Sequence, residues 1–528
     1  MSIIVTNIRS DYKADSNEVI YKALKALDIK KSDTLYSGIF RESLDLRHGR
    51  VSKISSVEIV LQSVADEMKI LETNPSVYVK PEAKMPSVLG NKKISSSPVV
   101  IGFGPAGMFS ALILAEQGFK PVVFERGSCM EKRDISVDNF FKTGQLNSRC
   151  NIQFGEGGAG AYSDGKLTTR INDPLCQLVL DIFKKHGAPD NVLRLAKPHI
   201  GTDVLKNIVV SIRKRIEELG GSVIFDTEVT GFETKNGKLK SVVTNKCTVD
   251  TEVAVIAIGH SARDTVFMLA NKGLDLIPKA FSVGMRIEHL QSWVNESVYG
   301  RFASNNDLPA AEYTLSAKPF DRGCYSFCMC PGGYVIAAAS EEGGVVTNGM
   351  SLHARNGINA NSAVCVSVTP EDFESSSPLS GIEFQRKLER SAFNAGGRNY
   401  YAPVQTLGDF IDGMKGSKPE IVKPSYPVGH NLVDFNEILP HFVSTTLKSS
   451  MPLFAKKLSC FGYKTAVFTG VETRTSSPVR ICRDDSFNST SIKGFMPCGE
   501  GAGYAGGIMS AAVDGIKVAA AIMNEYFC

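Results

Sequence analysis

Two glycine-rich stretches of the 528-residue chain each carry an acid at a spacing suited to a ligand with phosphates and hydroxyls. In the first, residues 97–118, the apolar run Val99, Val100, Ile101 leads into G-x-G-x-x-G at Gly102, Gly104 and Gly107, and an apolar helical run closes at Gly118. Gly102 permits the sharp turn out of a strand, Gly104 lets backbone approach a diphosphate with no Cβ in the way, and Gly107 allows close helix–sheet packing. The free N–H groups of the first helical turn, from Ala106 onward, then face the phosphates with the positive end of the helix dipole. Pro105 gives up only an N–H that would be unpaired there. The next strand, 121–124, ends in Glu125, eighteen residues after Gly107. A carboxylate at that point accepts from the ribose hydroxyls of an adenosine and repels a 2′-phosphate, which favours FAD or NAD over NADP. Arg126 is the one neighbour that argues the other way.

The second stretch, 494–508, places Gly499 and Glu500 ahead of Gly501, Gly503, Gly506, Gly507 and Ile508, with an apolar helix following. An acid in such a loop accepts from a polyol hydroxyl, and the helix N-terminus favours negative charge such as that on the N1–C2 carbonyl edge of a reduced flavin. A third stretch, 151–166, contains Gly155, Gly157, Gly158 and Gly160, whose density lets N–H groups point at an anion or a flat ring, and it ends on Ser163, Asp164 and Lys166. G-x-G-x-x-G alone is weak evidence, since it recurs at Gly155, Gly157, Gly160 and at Gly501, Gly503, Gly506. Only the first copy follows an apolar strand and leads to a second strand with a terminal acid.

The elements that must position these residues follow from periodicity. The run 253–258 is apolar on both faces, as in a buried parallel strand, and ends at Gly259, His260, Ser261, Ala262 and Arg263, where ligands sit in such sheets. Lys166, His260, Arg474 and Arg480 are therefore candidates for contact near a reacting ring; an ion pair or a phosphate contact suits each equally well, and no acid–base role is assigned. Residues 1–90 read as a small α+β module, with strands near 2–8, 34–46 and 54–62 and a helix over 17–27, in a ferredoxin-like succession. The polar segment 84–98 reads as a linker. Strands are expected at 222–233, 238–245 and 250–258, and strand-rich runs at 281–287, 325–330 and 334–339 point to a mixed sheet. Cys324, Cys328 and Cys330 invite a metal or redox reading, but 328 and 330 share one face of a strand and no second pair has ligand spacing, so no metal is expected.

Composition narrows the class. Hydrophobic residues make up 43% and charged residues 22%, which is ordinary for a globular chain, and a net charge of +4 gives no general attraction to nucleic acid or membrane. The uncharged run 97–115 is no membrane span, because three glycines and a proline interrupt it. The N-terminus lacks a basic leader, and twelve scattered cysteines point to reduced thiols, so a cytoplasmic setting is expected.

Together these segments resemble the glutathione-reductase-like class of FAD proteins. More narrowly the chain resembles the FAD-dependent, or NAD(FAD)-utilizing, dehydrogenases of poorly defined function. The likeness is carried by 101–107, 154–166, 259–264, 327–333, 474–480 and 494–515. It implies an α/β chain with a Rossmann-like FAD-binding domain in two parts, 96–274 and 476–528, a mixed α+β substrate-covering domain at 275–475, and the N-terminal module at 1–90. It further implies that Gly102, Gly104, Pro105, Ala106 and Gly107 hold the diphosphate, Glu125 the adenosine ribose and Glu500 the ribityl chain, with Arg126 and Gly499 also at the cofactor. Gly506, Gly507 and Ile508 take the pyrimidine edge, with Gly157, Gly158 and Gly259 also against the cofactor. No second fingerprint is present and no C-x-x-x-x-C pair follows the first, which argues against a disulfide-reductase mechanism. The expected activity is hydride transfer through flavin N5 to or from a small-molecule substrate, with NADH or NADPH as possible donor. Two other readings stay open: a flavin enzyme modifying RNA or protein, and an FAD-binding sensor without turnover.

Overall fold

The computed structural model describes residues 2–528. Its central layer is a five-stranded parallel sheet in the order 495–497, 254–256, 99–101, 122–124, 222–224. Val99–Ile101, Ala254–Ile256 and Phe495–Pro497 are buried along their whole length, which is why these short runs are apolar without alternation. The helix Pro105–Glu116 buries every residue from Ala106 to Ala115, because a helix apolar on all sides must be enclosed on all sides. Phe109 meets Phe183 edge to face at 5.3 Å, a contact contributing about 0.5–1.5 kcal/mol beyond the area it buries. The C-terminal helix Ile508–Glu525 crosses Pro105–Glu116 so closely that a Cβ on Gly515 would lie 2.2 Å from the Ala106 carbonyl oxygen. The last fifty residues thereby close on the first glycine turn.

Two expected strands are each divided. The run 222–233 splits into Ser222–Ile224, in the parallel sheet, and Val229–Lys235, in a separate three-stranded antiparallel meander. Asp226, between them, has φ of 52°, and a strand cannot continue through that conformation. The run 250–258 likewise divides into Thr248–Asp250, at the meander edge, and Ala254–Ile256. Thr251 makes the change of sheet, its Oγ1 donating to the Val253 and Ser97 carbonyls.

A seven-stranded sheet, antiparallel apart from the pairing of 402–406 with 430–432, covers the same side of the molecule's large cavity as the second core. Its strands run 316–317, 324–330, 359–368, 281–290, 467–472, 402–406 and 430–432. The central pair Phe281–Leu290 and Asn359–Val368 stays in register over ten residues and is almost wholly buried. The strand Cys324–Cys330 is irregular. Phe327 pairs with Ala363 and Cys330 with Asn361, so Cys328 and Met329 stand opposite Ser362 alone. The bulge breaks the alternation expected for Cys328 and Cys330: Cys328 lines the cavity and Cys330 is buried behind it.

The N-terminal residues form a four-stranded antiparallel sheet in the order 34–45, 52–61, 3–11, 77–79, with helices Ser16–Ala26 and Val64–Thr73. Edge strand Thr34–Asp45 bonds the main body through Glu42, whose N–H donates to the Arg194 carbonyl at 2.7 Å and whose carbonyl accepts from Ala196 at 2.8 Å. No helix among the described residues is long and apolar enough to cross a membrane.

Candidate functional site

The first glycine turn is built as the fingerprint demands. Gly102 has φ of +98°, and a Cβ on it would meet the Ala257 carbonyl oxygen at 2.5 Å. A Cβ on Gly107 would lie 2.0 Å from the Gly102 oxygen. Gly104 is different: a Cβ there would find nothing nearer than Gly158 Cα at 3.8 Å, so protein packing does not require glycine at 104. Its open side faces a cavity of about 1220 Å³, larger than the roughly 300–1,000 Å³ usual for a single small ligand.

Most of the residues singled out in the sequence border this cavity: Gly102, Gly104, Pro105, Ala106, Glu125, Arg126, Gly158, Lys166, Gly259, His260, Arg474, Glu500, Gly506, Gly507 and Ile508. Gly107, Gly157 and Gly499 do not. They work from behind, Gly157 against Val209 and Gly499 against the Ala106 Cβ, where in each case a side chain would collide. Arg480 also lies off the wall. Its guanidinium sits 5.1 Å from the Tyr504 ring centroid and reaches the Gly503 carbonyl at 3.4 Å.

The expected ligand contacts prove to be shared with the protein. Glu125 accepts from the N–H groups of Phe103 (2.8 Å), Gly127 (3.0 Å) and Gly155 (2.9 Å), which ties the first turn to the 151–166 stretch. A carboxylate has about four lone-pair directions, so little acceptor capacity is left for a hydroxyl. Arg126 makes a bidentate pair with Asp264 at 2.9 and 3.0 Å and stacks 4.5 Å from the Phe154 ring. Glu500 holds His260, with Nδ1 and Oε1 3.1 Å apart. The other ring nitrogen, Nε2, is buried and without a hydrogen-bond partner among the described residues. A buried unmade hydrogen bond costs about 1–3 kcal/mol, and it is the mark of a group awaiting a ligand.

Arg474 is committed elsewhere. It and Arg263 clamp Glu389 from two sides, with Arg474 Nη2 2.9 Å and Arg263 Nη2 2.7 Å from its oxygens. The remaining Arg474 donors go to Ser261 and Ser340. Burial opposes ionisation of Glu389, but the two guanidinium groups overcome it and hold the carboxyl well below the usual range.

Lys166 stands on the opposite footing. Its ammonium bonds the Asp164 carboxylate and the Met329 carbonyl. Burial disfavours the charge, yet Asp164 more than compensates and the ammonium is held above its ordinary pKa. Asp164 also takes Arg355, whose Nε lies at 3.0 Å, and Ser351; burial works against its ionisation, and Lys166 and Arg355 together keep it below the usual carboxylate pKa. Arg355, Asn348, Glu472 and Lys279 on the cavity wall were missed in the sequence; the one available signal was at Glu472, an acid closing the apolar run Val467–Glu472. Burial raises the Glu472 carboxyl, against the pull of the adjacent Arg286.

Over its full length the chain is 46% identical to an uncharacterized protein of Clostridium beijerinckii, the match covering 100% of this chain and 99% of the relative. The chain belongs to one family with this Clostridium beijerinckii protein, and its residues 280–475 match the family described as FAD-dependent protein, C-terminal domain-like. The family segment is the seven-stranded sheet with its helices. Among solved structures, glycine oxidase from Geobacillus kaustophilus is similar at 11% identity over 82% of this chain and 96% of that one, with a TM-score of 0.36. L-amino acid deaminase from Proteus vulgaris is similar at 11% identity over 85% and 93%, with a TM-score of 0.33.

Proposed function

We propose that the protein is an FAD-dependent oxidoreductase that passes hydride between the cofactor and a small-molecule substrate. The observation that carries this reading is one cavity bounded by all three glycine stretches, with the unpartnered His260 Nε2 in its neighbourhood and Glu500 on its wall. The residues fit FAD. Gly104 leaves the space a diphosphate needs, and a Cβ on Gly506 or Gly507 would touch no protein atom within 4 Å, so this segment leaves room for a flat ring, with the Gly506 N–H held by Ser510 Oγ at 3.1 Å. The five-stranded parallel sheet supports a Rossmann-like FAD-binding domain.

In this reading the turn 102–106 and the start of helix Pro105–Glu116 hold the diphosphate. Glu125 keeps its loops in place and offers its remaining lone pair to the adenosine ribose. Glu500 orients His260 through Nδ1, so that Nε2 and the free Glu500 oxygen meet the ribityl and phosphate oxygens. Gly506, Gly507 and Ile508 direct the N-terminus of helix Ile508–Glu525 at the pyrimidine edge and stabilise negative charge there. Bound FAD supplies a two-electron acceptor at N5. Lys166, charged at neutral pH and anchored by Asp164, places a positive charge on the substrate side, and the seven-stranded sheet keeps water out. A small-molecule substrate suits the volume, NADH or NADPH is a proposed donor, and twelve free thiols support a reducing, cytoplasmic setting.

The test is an anaerobic absorbance titration of the purified protein with NADH and then NADPH. A flavin spectrum that bleaches with either supports a pyridine-nucleotide-driven reductase, and a bound flavin that bleaches only with an organic substrate supports a dehydrogenase. Protein that carries no flavin and takes none up overturns the proposal.

A further inference from the structure

The bulge at Cys328 and Met329 is unexplained by cofactor binding. Cys328 has φ of 45° within a strand, a conformation unfavourable for a side-chain-bearing residue that sheets retain where a side chain must be re-aimed. The result is specific. The Cys328 side chain is turned onto the cavity wall with Lys166, Asn348 and Glu472, while Cys330, two residues on, is packed behind it.

The two thiols belong to one bulge. Cys330 Sγ donates to the Cys328 carbonyl oxygen at 3.4 Å. Two cations frame them. Arg286 Nη1 donates to the Cys328 carbonyl at 2.7 Å, and Lys166 Nζ bonds the carbonyl of the intervening Met329. The hydrogen bond from Cys330 lowers the Cys328 thiol to about 5, helped by Arg286 and Lys166 against burial, whereas the same contact and burial push Cys330 well up. The pair is thereby made unequal, Cys328 favoured as the thiolate and Cys330 as the thiol. That asymmetry is what thiol–disulfide couples use, since the thiolate is the nucleophile and the partner resolves it. Cys324 and Cys365 in the same sheet are buried, lie off the cavity and are pushed up by burial, so they have no such poise. No group of three or more His, Cys, Asp or Glu among the described residues is arranged to hold a metal.

We infer that Cys328 and Cys330 are a dithiol–disulfide couple opening on the cavity and exchanging two electrons with its flavin. The inference rests on the FAD reading above. In the oxidative direction the Cys328 thiolate and the Cys330 thiol lose two electrons and one proton and gain one S–S bond; the electron pair and the proton go to the oxidised flavin. Reversed, the reduced flavin returns the electron pair and one proton, the S–S bond breaks, and the Cys328 thiolate and the Cys330 thiol are restored. The pair would thus carry electrons between flavin and a disulfide or other thiol-reactive substrate in the same space. It differs from the C-x-x-x-x-C arrangement, because the thiols are on the covering sheet and not on the glycine-turn domain.

The test uses the full-length flavin-loaded protein oxidised with diamide, freed of reagent and titrated anaerobically with dithionite. Four electrons taken up per flavin are expected, against two for Cys328→Ser and Cys330→Ser. In parallel, acid quenching, alkylation with N-ethylmaleimide and peptide mass spectrometry of the unaltered protein should find a 328–330 linkage, 2 mass units below the dithiol, that disappears on reduction. Two electrons per flavin with flavin fully bound overturns the couple and leaves the cofactor reading intact, as does a linkage to any other cysteine. Failure to bind flavin sinks the cofactor reading itself and with it the exchange. If a serine variant does not fold, the electron count and linkage in the unaltered protein decide.

Discussion

Gly104 separates a ligand requirement from a folding requirement. Its backbone has φ of −78° and ψ of −177°, ordinary extended geometry for an alanine, and a Cβ would reach only Gly158 Cα at 3.8 Å. As the N-cap of helix Pro105–Glu116, Gly104→Ala loses up to about 1 kcal/mol of capping, and about 0.4–1 kcal/mol returns from the stiffer unfolded chain, so the apoprotein should stay within about 1 kcal/mol of the parent. Gly102→Ala is the contrast. It forces φ of +98° on alanine, at about 1–2 kcal/mol, and drives a Cβ to 2.5 Å from the Ala257 oxygen, at about 1–3 kcal/mol more. If the turn holds the FAD diphosphate, the Gly104 Cβ intrudes on that contact, and at least a tenfold loss of flavin affinity follows, about 1.4 kcal/mol. The assay pairs thermal unfolding of the apoproteins with flavin binding followed by quenching of flavin fluorescence. Gly104→Ala should keep its Tm and lose affinity, while Gly102→Ala should lose several degrees. Parent-like flavin affinity in Gly104→Ala would refute the assignment of this turn.

Three further outcomes follow from the same geometry. Glu500→Gln should weaken flavin binding by about tenfold, because the carboxylate that orients His260 and meets the ligand is gone, roughly 1.4 kcal/mol as read by ultrafiltration of free flavin. Replacing Glu389 by leucine should destabilise the fold by about 3–5 kcal/mol in urea, since it strands the buried guanidinium groups of Arg263 and Arg474; unchanged stability would show the clamp to be dispensable. For pH, Glu389 and Asp164 are held below their ordinary values in the fold, so below about pH 4 the unfolded chain binds protons first and stability falls as pH falls through that window. Urea midpoints measured from pH 7 down to pH 3 should decline, and Asp164→Asn should lessen the slope.

What the sequence made legible was local. Gly107 is required by the Gly102 carbonyl oxygen five residues before it, and Gly102 by its positive φ in the turn, and the strand–turn–helix signature reports such local needs directly. Glu125 was legible as an acid at the right distance. Its three backbone partners were not, because Gly155 joins it from thirty residues away. Arg474 looked the same as a ligand-binding arginine until Glu389, 85 positions earlier, was brought against it. Division of the expected strands at Asp226 and Thr251 escaped the pattern because strand residues stand on both sides of each break; a positive φ at Asp226 and a change of sheet at Thr251 mark them.

The same logic explains Cys328. Period-two alternation puts residues 328 and 330 on one face, and a single extra residue in a strand reverses that assignment. Here the extra residue leaves Cys330 buried and turns Cys328 to the cavity, where Lys166 and Arg286 can bias its charge. A regular strand would hide both thiols or expose both. Lys166 is then tied to two functions, because its ammonium bonds Asp164 on one side and the Met329 carbonyl of the bulge on the other. Lys166→Met should therefore raise the pH at which Cys328 is alkylated by iodoacetamide as well as slow flavin reduction. A change in the second with none in the first would separate the bulge from the site.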